Sequence, residues 1–434
     1  MAGGTFAQQP SPAIPIPSSQ VVSTPLSRDE AVRLALAQAS AYQQAQFSEQ
    51  IASEDVKQAQ AAFLPKITAP LAFIYTTPFV GNPIISPSGE PSFIAANSVR
   101  EYQAFLNVSG DIDLAGRLRA TLRRNRLLLE AAHAGTEAAR RDLIEATDEA
   151  YYGLAAIITK RQSAGLNLSA AEQFEHITSL LFDGGEVPSV DLIRARLQTA
   201  NRRDELEQAR AGEQAAANAL RSLIGSNIAG SIITADLGTT VPDQSEINRF
   251  STEAIARNPE LAQFEAQRLA AEQDAKAARA ERRPQLGYSI SGGFDTDAIQ
   301  MPNLKQHSGA SAAITLDIPI FDWGISKSRE HQAKLRAQTA ESQKAVAQRT
   351  FAQQFFTARS QAQTAVTRIQ ALRVSIADAE RNAQISIDRY RAGEAQIVEV
   401  TESQNTLSAQ RAALSQALFD YQVALARLRQ VTGQ

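Results

Sequence analysis

Hydrophobic positions along this chain follow two spacings, which succeed each other in the same order twice. Residues 28–62 and 251–282 carry helical spacing, and each segment is followed by a proline, Pro65 or Pro284. Because proline disfavours helical geometry in the residue before it, each helix is predicted to end just upstream of its proline.

After each proline the spacing becomes two, which predicts β-strands with one apolar face. In the second copy the apolar positions are Leu286, Tyr288, Ile290 and Phe294, then Ala310, Ala312, Ile314, Leu316, Ile318 and Ile320. The strands are about ten residues long, the length that a tilted membrane-spanning strand needs. A lone hairpin is marginally stable, so these strands must pair with those of the other repeat or of other subunits. One face of a soluble sandwich is the alternative.

Two proline-free segments, 115–183 and 324–396, are predicted to be very long helices. In the second, apolar residues recur in steps of three and four, as in a coiled coil: Phe351, Phe355, Ala358, Ala362, Ala365, Ile369, Leu372, Ile376, Ala379 and Ala383. The segment that follows repeats them every seven positions, at Val400, Leu407, Leu414, Tyr421 and Leu428. Each long helix and its successor are therefore predicted to form an antiparallel hairpin. Glycines mark the tips, since glycine favours the left-handed step that ends a helix.

The spacing of these glycines indicates a duplicated architecture. Gly185 and Gly393 are 208 residues apart, and so are Gly225 and Gly433. The predicted segments are a disordered, proline-rich N-terminus (1–27), a first repeat (28–225) with a β-hairpin at about 64–114 and a helical hairpin at 115–224, a connector (226–250), and a second repeat (251–434) with a β-hairpin at about 285–321 and a helical hairpin at 324–432.

Composition and charge exclude several classes of protein. The net charge is −3, so no basic surface indicates binding to nucleic acid. The absence of cysteine rules out disulfides, thiolate metal sites and thiol nucleophiles. The four histidines lack metal-ligand spacing and no catalytic residue set is present, so we expect no enzyme activity, no metal and no cofactor. No apolar run reaches 18 residues, so no transmembrane helix is expected.

Two strand-to-helix junctions carry the most specific motifs of the chain. They are Ile-Asp-Leu-Ala-Gly-Arg at 112–117 and Ile-Pro-Ile-Phe-Asp-Trp-Gly at 318–324. Both resemble junction motifs of the TolC-like outer-membrane efflux protein family. The first is similar to the form typical of channels that serve resistance-nodulation-division pumps, although Ala115 replaces the usual aromatic residue. The resemblance is specific because the motifs keep the family's order across 28–433.

The resemblance implies a mainly α-helical fold with a β-barrel part. Three protomers would each donate four strands to one twelve-stranded barrel in the outer membrane, and their helices would form a coiled-coil tunnel in the periplasm. The implied function is a passive exit duct of a tripartite efflux pump that exports drugs or other small molecules. The implied partners are two further copies of the chain, a periplasmic adaptor, an inner-membrane pump and outer-membrane lipid.

Two other functions stay open on the sequence. A duct of this fold could serve a type I protein secretion system, since the residues do not identify the exported substrate. A soluble coiled-coil scaffold, with its strands in a small sheet, is the alternative from a different class. The first 25 residues lack a signal-peptide pattern, which fits a cytosolic protein or a mature exported one.

The resemblance also assigns roles to residues near the tips. Acidic rings at the tunnel entrance align with Glu399 and Glu402, which are three apart on one helix face. In a trimer such rings would favour cations and repel anions. An ordinary solvated helix face is the alternative for both glutamates. Links that hold the closed state align with Asp191 and Tyr390, whereas the family's arginine partner aligns with Ala395.

Because that arginine is missing, the closed state must be held differently in this chain. Arg389 and Arg391 are the candidates for the substitute. The tips expected to contact the adaptor are Gly184, Gly185 and Gly393.

Two aromatic residues, Phe321 and Trp323, lie at the end of a predicted strand. In a membrane-spanning barrel this is the level of the interfacial aromatic girdle, so we expect both to lie at the membrane interface. Ordinary packing is the alternative for the lone tryptophan.

Overall fold

The fold is taken from a computed structural model that describes residues 26–75, 84–85, 91–92, 100–225, 234, 237, 242–296 and 299–434. The N-terminus predicted to be disordered lies outside the described residues, except for Leu26 and Ser27. Much of the predicted connector at 226–250 lies outside them as well.

Helices dominate the described residues. They are α1 (Arg28–Leu36), α2 (Ala41–Ala61), α3 (Arg117–Asp183), α4 (Ser189–Ile224), α5 (Gln244–Asn248), α6 (Pro259–Ala280), α7 (Met301–Gln306), α8 (Ile325–Arg391) and α9 (Ile397–Thr432). The strands are β1 (Lys66–Thr68), β2 (Leu71–Tyr75), β3 (Ile84–Ile85), β4 (Pro91–Ser92), β5 (Arg100–Ile112), β6 (Gln285–Thr296) and β7 (Ser308–Asp317). None of the described helices is long and apolar enough to cross a membrane.

The long helices come in matched pairs. Helices α3 and α8 both contain 67 residues, and α4 and α9 both contain 36. Six glycines adopt a left-handed conformation at equivalent places: Gly116, Gly185 and Gly225, and 208 residues later Gly324, Gly393 and Gly433. These are the positions where the chain enters a long helix, turns at a tip or leaves the returning helix, and there a side chain would be strained.

The chain divides into two compact units, and one of them contains the sheet. This sheet unit comprises Gln44–Ala138 and Pro259–Thr350. Its main sheet has the order β1-β5-β6-β7, with β2 also paired to β5, and all pairs are antiparallel. The long β5–β6 pairing joins the two repeats, which confirms that each hairpin finds a strand of the other repeat.

Pro70 divides the first predicted strand into β1 and β2, because it has no N–H to donate to a neighbouring strand. Its carbonyl still accepts from Phe105 N at 3.1 Å.

The alternation seen in the sequence is reproduced in the register of the sheet. Ile290 lies between Val108 and Ala312 on the apolar face, and its neighbour Ser291 pairs with Ser311 on the other. The two serine Oγ atoms are 2.8 Å apart. Much of the apolar face is exposed, with Leu71, Phe73, Leu106, Ile290, Ile314 and Leu316 all at least half accessible.

The other unit is helical and comprises Met1–Gln43, Ala139–Asn258 and Phe351–Gln434. Within it, eight of the ten stripe positions predicted on α8 are buried, and Leu372 and Ile376 are half-buried. On α9 the heptad positions Val400, Tyr421 and Leu428 are buried, while Leu407 and Leu414 are half-buried. The predicted coiled-coil seam is therefore confirmed.

The prediction of one helix over 28–62 was wrong, since α1 ends at Leu36 and α2 starts at Ala41. No proline or glycine marks the break, so packing imposes it. Ala31 and Ala35 are buried in a cluster with Tyr151 and Leu220 in the helical unit. Arg28 strengthens this attachment, with Nε and Nη2 each donating to the Asp148 carboxylate at 2.6 Å.

The second copy of this helix also starts later than predicted. Residues Thr252–Arg257 form a 3-10 turn, and α6 begins only at Pro259. The cause lies in the sequence, because proline keeps Asn258 extended (φ −61°, ψ 126°) and is itself favoured at the first position of a helix. The buried Asn258 side chain donates to the Val431 carbonyl at 3.0 Å, so the turn is tied to the end of α9.

Candidate functional site

Each helical hairpin turns through the same glycine-based motif. After α3, Gly185 N donates to Phe182 O at 2.9 Å and Glu186 N to Leu181 O at 2.8 Å. After α8 the equivalent bonds run from Gly393 and from the residue after it, at 3.0 and 2.8 Å. This pattern satisfies the last carbonyls of a helix and needs a left-handed residue, which Gly185 and Gly393 supply (φ 75° and 76°). Gly184 does not adopt that conformation.

The two tips pack against each other through a small apolar cluster. It contains Phe174 and Ala195 from the first hairpin and Tyr390, Ile397 and Val400 from the second, all buried. The Tyr390 ring lies 5.2 Å from the Phe174 ring, centroid to centroid, in a tilted arrangement. The described contact between hairpins at this level is thus made by aromatic and aliphatic packing.

The hydroxyl of Tyr390 is buried without a hydrogen-bond partner among the described residues. The side chain is 3% exposed, and both Thr178 and Asp191 lie near the hydroxyl. Burial raises the pKa of Tyr390, and the Asp191 carboxylate raises it further. The predicted link residues are therefore neighbours, but their side-chain oxygens do not meet in the geometry of a well-formed hydrogen bond.

Polar contacts between the hairpins lie farther from the tip, where α4 faces α9. Gln198 Nε2 donates to Gln404 Oε1 at 2.7 Å, and Thr401 Oγ1 donates to Gln198 Oε1 at 3.1 Å. The buried Arg202 guanidinium donates to the side-chain oxygen of Asn405. We call these five residues the inter-hairpin ladder.

Sequence analysis missed the inter-hairpin ladder, although one signal was present. The heptad ladder of α4 runs through Leu192 and Leu206, and the position between them is Thr199. Thr199 is buried, and its hydroxyl lies 3.3 Å from Ala171 O and 3.2 Å from Ala195 O. A polar residue in a register of leucines indicates that polar groups meet in this part of the seam.

The predicted ring residues lie on α9 just past the second tip. Glu399 accepts from Arg389 Nη1 at 2.5 Å, and this pair closes the base of the α8–α9 turn. Glu402 is exposed. Arg391 pairs instead with Asp388 of its own helix, at 3.4 Å. Both arginines proposed as substitutes for the missing link therefore have partners within the second hairpin.

The two junction motifs of the sequence serve as helix caps. Asp322 accepts from Ser326 N at 2.7 Å and from Gly324 N at 3.1 Å at the start of α8. Asp113 does the same at the start of α3, accepting from the backbone N–H groups of Leu118 and Arg119 at 3.0 Å each. Each aspartate satisfies N–H groups that a helix start leaves free, so the strand can pass directly into a long helix.

The predicted interface aromatics are among the most exposed large hydrophobic residues of the sheet unit. Trp323 is 88% exposed and Phe321 is 72% exposed. Their rings meet edge to face, with centroids 4.9 Å apart. Trp323 has φ 54°, a conformation that bulky residues rarely adopt, so the corner presents this ring outward at a conformational cost.

No group of acidic or histidine residues in the described parts of the chain is arranged to hold a metal ion. The polar groups at and near the tips are carboxylates, guanidiniums and amides on packed helices. Such groups act on a passing solute through charge and through the way the helices are held together.

The family model for outer membrane efflux proteins matches residues 31–226 and 250–434 of this chain. The chain belongs to the outer membrane efflux protein family. Membership confirms the resemblance inferred from the junction motifs and, with it, the predicted function and location, an efflux channel of the outer membrane. The family consists of channel proteins and not of enzymes.

Individual relatives are distant in sequence and close in fold. The chain is 24% identical to the pyoverdine export outer membrane protein OpmQ of Pseudomonas aeruginosa, over 80% of this chain and 71% of that protein. It is 26% identical to the outer membrane efflux protein BepC of Brucella suis biovar 1, over 63% of this chain and 60% of that protein. The Campylobacter jejuni CmeC outer membrane channel superposes with a TM-score of 0.83 at 17% identity, over 99% of this chain and 94% of that one. This likeness confirms the mainly helical fold with a small sheet.

Proposed function

We propose that the protein is a homotrimeric channel-tunnel that serves as the passive exit duct of a tripartite pump exporting small molecules. Three chains form a twelve-stranded barrel in the outer membrane, and their helical hairpins form a periplasmic tunnel. A periplasmic adaptor contacts the tips at Gly184, Gly185 and Gly393, and an inner-membrane pump supplies substrate and energy.

The open edges of the main sheet carry this proposal. Within the described residues, β7 pairs only with β6, and β1 and β2 pair only with β5. Four strand positions cannot close on themselves, since even a narrow barrel needs about eight strands. Lipid cannot satisfy the free backbone groups of such edges. Pairing the β7 edge of one copy with the β1–β2 edge of the next removes every edge and turns the exposed apolar face toward lipid.

The exposed aromatic corner supports the same arrangement. Phe321 and Trp323 follow the end of β7, and their rings are largely free of contact with the rest of the chain. Indole and phenyl rings are favoured at the boundary between lipid and water. The corner then anchors each protomer at the level where the barrel meets the helices.

The tips provide the entrance and the gate of the tunnel. Glu399 and Glu402 form the acidic rings, which favour cations. The entrance opens when the second hairpin moves away from the first, which separates the Tyr390–Phe174 packing and breaks the inter-hairpin ladder. No chemical step is required, because the duct is passive.

Single-channel recording of the detergent-purified protein in a planar bilayer tests the proposal. We expect discrete, cation-selective conductance steps and, in native mass spectrometry, a particle three times the 46.8 kDa mass of the chain. A monomer that stays in solution without detergent and never inserts would contradict the proposal and favour the coiled-coil scaffold.

A further inference from the structure

The ion pair at the base of the second tip changes the charge of the proposed entrance. Arg389, near the end of α8, and Glu399, in the first turn of α9, are ten residues apart and face each other across the turn. One guanidinium nitrogen, Nη1, lies 2.5 Å from Glu399 Oε1, and the other, Nη2, lies 3.4 Å from Glu394 O. The backbone carbonyl therefore helps to hold the guanidinium against the carboxylate.

Glu402 lies one turn farther along α9 and has a different environment. It is exposed, and no cation pairs with it in the described parts of the chain. With 3.6 residues per turn, Glu399 and Glu402 point about 60° apart, on the side of α9 opposite Ile397 and Val400. Those two apolar residues are buried between the hairpins. Both carboxylates thus share the outward face of α9, but only one of them has a counter-ion.

We infer that Arg389 is the internal counter-ion of the proposed acidic entrance and that the entrance's cation selectivity therefore depends on Glu402. The inference rests on the proposed function, because it requires this face of α9 to line the tunnel. A paired carboxylate presents a short dipole to a passing ion, and the field of a dipole falls off faster than that of a charge. The pair thus cancels half of the negative charge that the two glutamates would otherwise supply.

The pair also fixes how the two carboxylates respond to substitution. Removing the arginine frees Glu399 and adds a second negative ring to the entrance. Removing Glu399 alone takes away a carboxylate that was already neutralised. The effect of losing Glu399 must therefore depend on whether Arg389 is present, which is a coupling that a double-mutant cycle measures.

Block of the conductance by hexaamminecobalt(III), together with the reversal potential in a KCl gradient, tests the inference. The variants are Arg389→Gln, Glu399→Gln, the double variant, and Arg391→Gln as a matched control. Arg391 carries the same charge two residues on, but it pairs with Asp388 of α8 and not with α9. Glu402→Gln completes the set.

We expect Arg389→Gln to tighten block on the order of tenfold and to increase cation selectivity, because three freed carboxylates then face the trivalent ion. Arg391→Gln should change neither quantity. Glu399→Gln should weaken block severalfold more in the Arg389→Gln background than in the wild type, and Glu402→Gln should abolish most of the block in the wild type.

Two kinds of failure are distinguishable. If the wild type conducts but Arg389→Gln blocks no better than Arg391→Gln, or if Glu399→Gln has the same effect in both backgrounds, Arg389 does not act as the counter-ion. If the wild type shows no conductance steps, the proposed function itself is wrong, and this inference is overturned with it.

Discussion

Replacing Tyr390 by phenylalanine tests how the closed tip is held. The resemblance to the family places closing links at Asp191 and Tyr390, and if the link is a hydrogen bond from the Tyr390 hydroxyl, losing that hydroxyl weakens the closed state. The structure predicts the opposite, because the buried hydroxyl is not aligned for a hydrogen bond with its neighbours Thr178 and Asp191, while the ring packs on Phe174. Tyr390→Phe removes only the hydroxyl and keeps the ring.

The magnitudes separate the two expectations. A hydrogen bond to a charged carboxylate contributes about 1.5–3 kcal/mol, so its loss would favour opening by roughly ten- to a hundredfold. A buried hydroxyl without a partner instead costs about 1–3 kcal/mol, so its removal should stabilise the closed tip or leave it unchanged. Tyr390→Ala is the matched variant, because it also removes the ring and should cost about 3–5 kcal/mol.

The assay is the conductance of the reconstituted channel in the absence of adaptor, together with its thermal unfolding in detergent. We expect Tyr390→Phe to keep the small resting conductance and the melting temperature of the wild type, or to raise the latter. Tyr390→Ala should open the channel and lower the melting temperature. If Tyr390→Phe opened the channel as readily as Tyr390→Ala, the hydroxyl would be bonded after all and the reasoning from its burial would be refuted.

Three further predictions concern the inter-hairpin ladder, an ion-pair network and the tip glycines. Arg202→Met should raise the resting conductance and cost about 1.5 kcal/mol of unfolding free energy, because the buried bond to Asn405 is lost; a resting conductance equal to that of the wild type would contradict it. Glu265 pairs with Arg268 at 2.8 Å and with Lys344 at 2.9 Å, and these cations lower its pKa from 4.5 to about 2. The ionised carboxylate therefore stabilises the fold above pH 4.5, and this contribution is lost as the pH falls toward 2. Glu265→Gln should melt at a lower temperature than the wild type in detergent at pH 7, and the two melting temperatures should converge near pH 2. Gly393→Ala should lower the free energy of unfolding by about 1–2 kcal/mol, because the φ of 76° at this position disfavours a side chain. Gly165 lies within α3 and faces open space, so Gly165→Ala should raise the free energy of unfolding by about 0.5–1 kcal/mol. Denaturant unfolding in detergent measures both changes.

Much of the fold could be predicted because it depends on periodicity and on glycine. Strand alternation gave the faces of β6 and β7, and the steps of three and four along 351–383 gave the buried stripe of α8. Gly185 and Gly393 marked the tips because a left-handed residue is needed there and few residues other than glycine supply it cheaply. These signals are local, so one sequence is enough to detect them.

Where the prediction failed, a distant contact overrode a local preference. The alanine-rich stretch across 37–40 favours a continuous helix, but α1 is held by the cluster around Tyr151 and by the Arg28–Asp148 pair, so the helix breaks. Asp148 lies 120 residues from Arg28, and no periodicity in the sequence connects them. The inter-hairpin ladder was missed for the same reason, since its bonds join residues about 200 positions apart.

At the tips, alignment to the family predicts which residues are neighbours more reliably than it predicts the hydrogen bonds between them. Asp191 and Tyr390 occupy the aligned positions and are neighbours in space, yet their side chains do not form a well-aligned hydrogen bond. With alanine at 395, the position of the family's arginine, that part of the tip is completed by packing. The polar contacts between the hairpins are those of the inter-hairpin ladder, farther from the tip, where the Gln198–Gln404 hydrogen bond joins two neutral amides. Because neither amide titrates, a gate held there should keep its strength over a wide range of pH, unlike one held by a carboxylate.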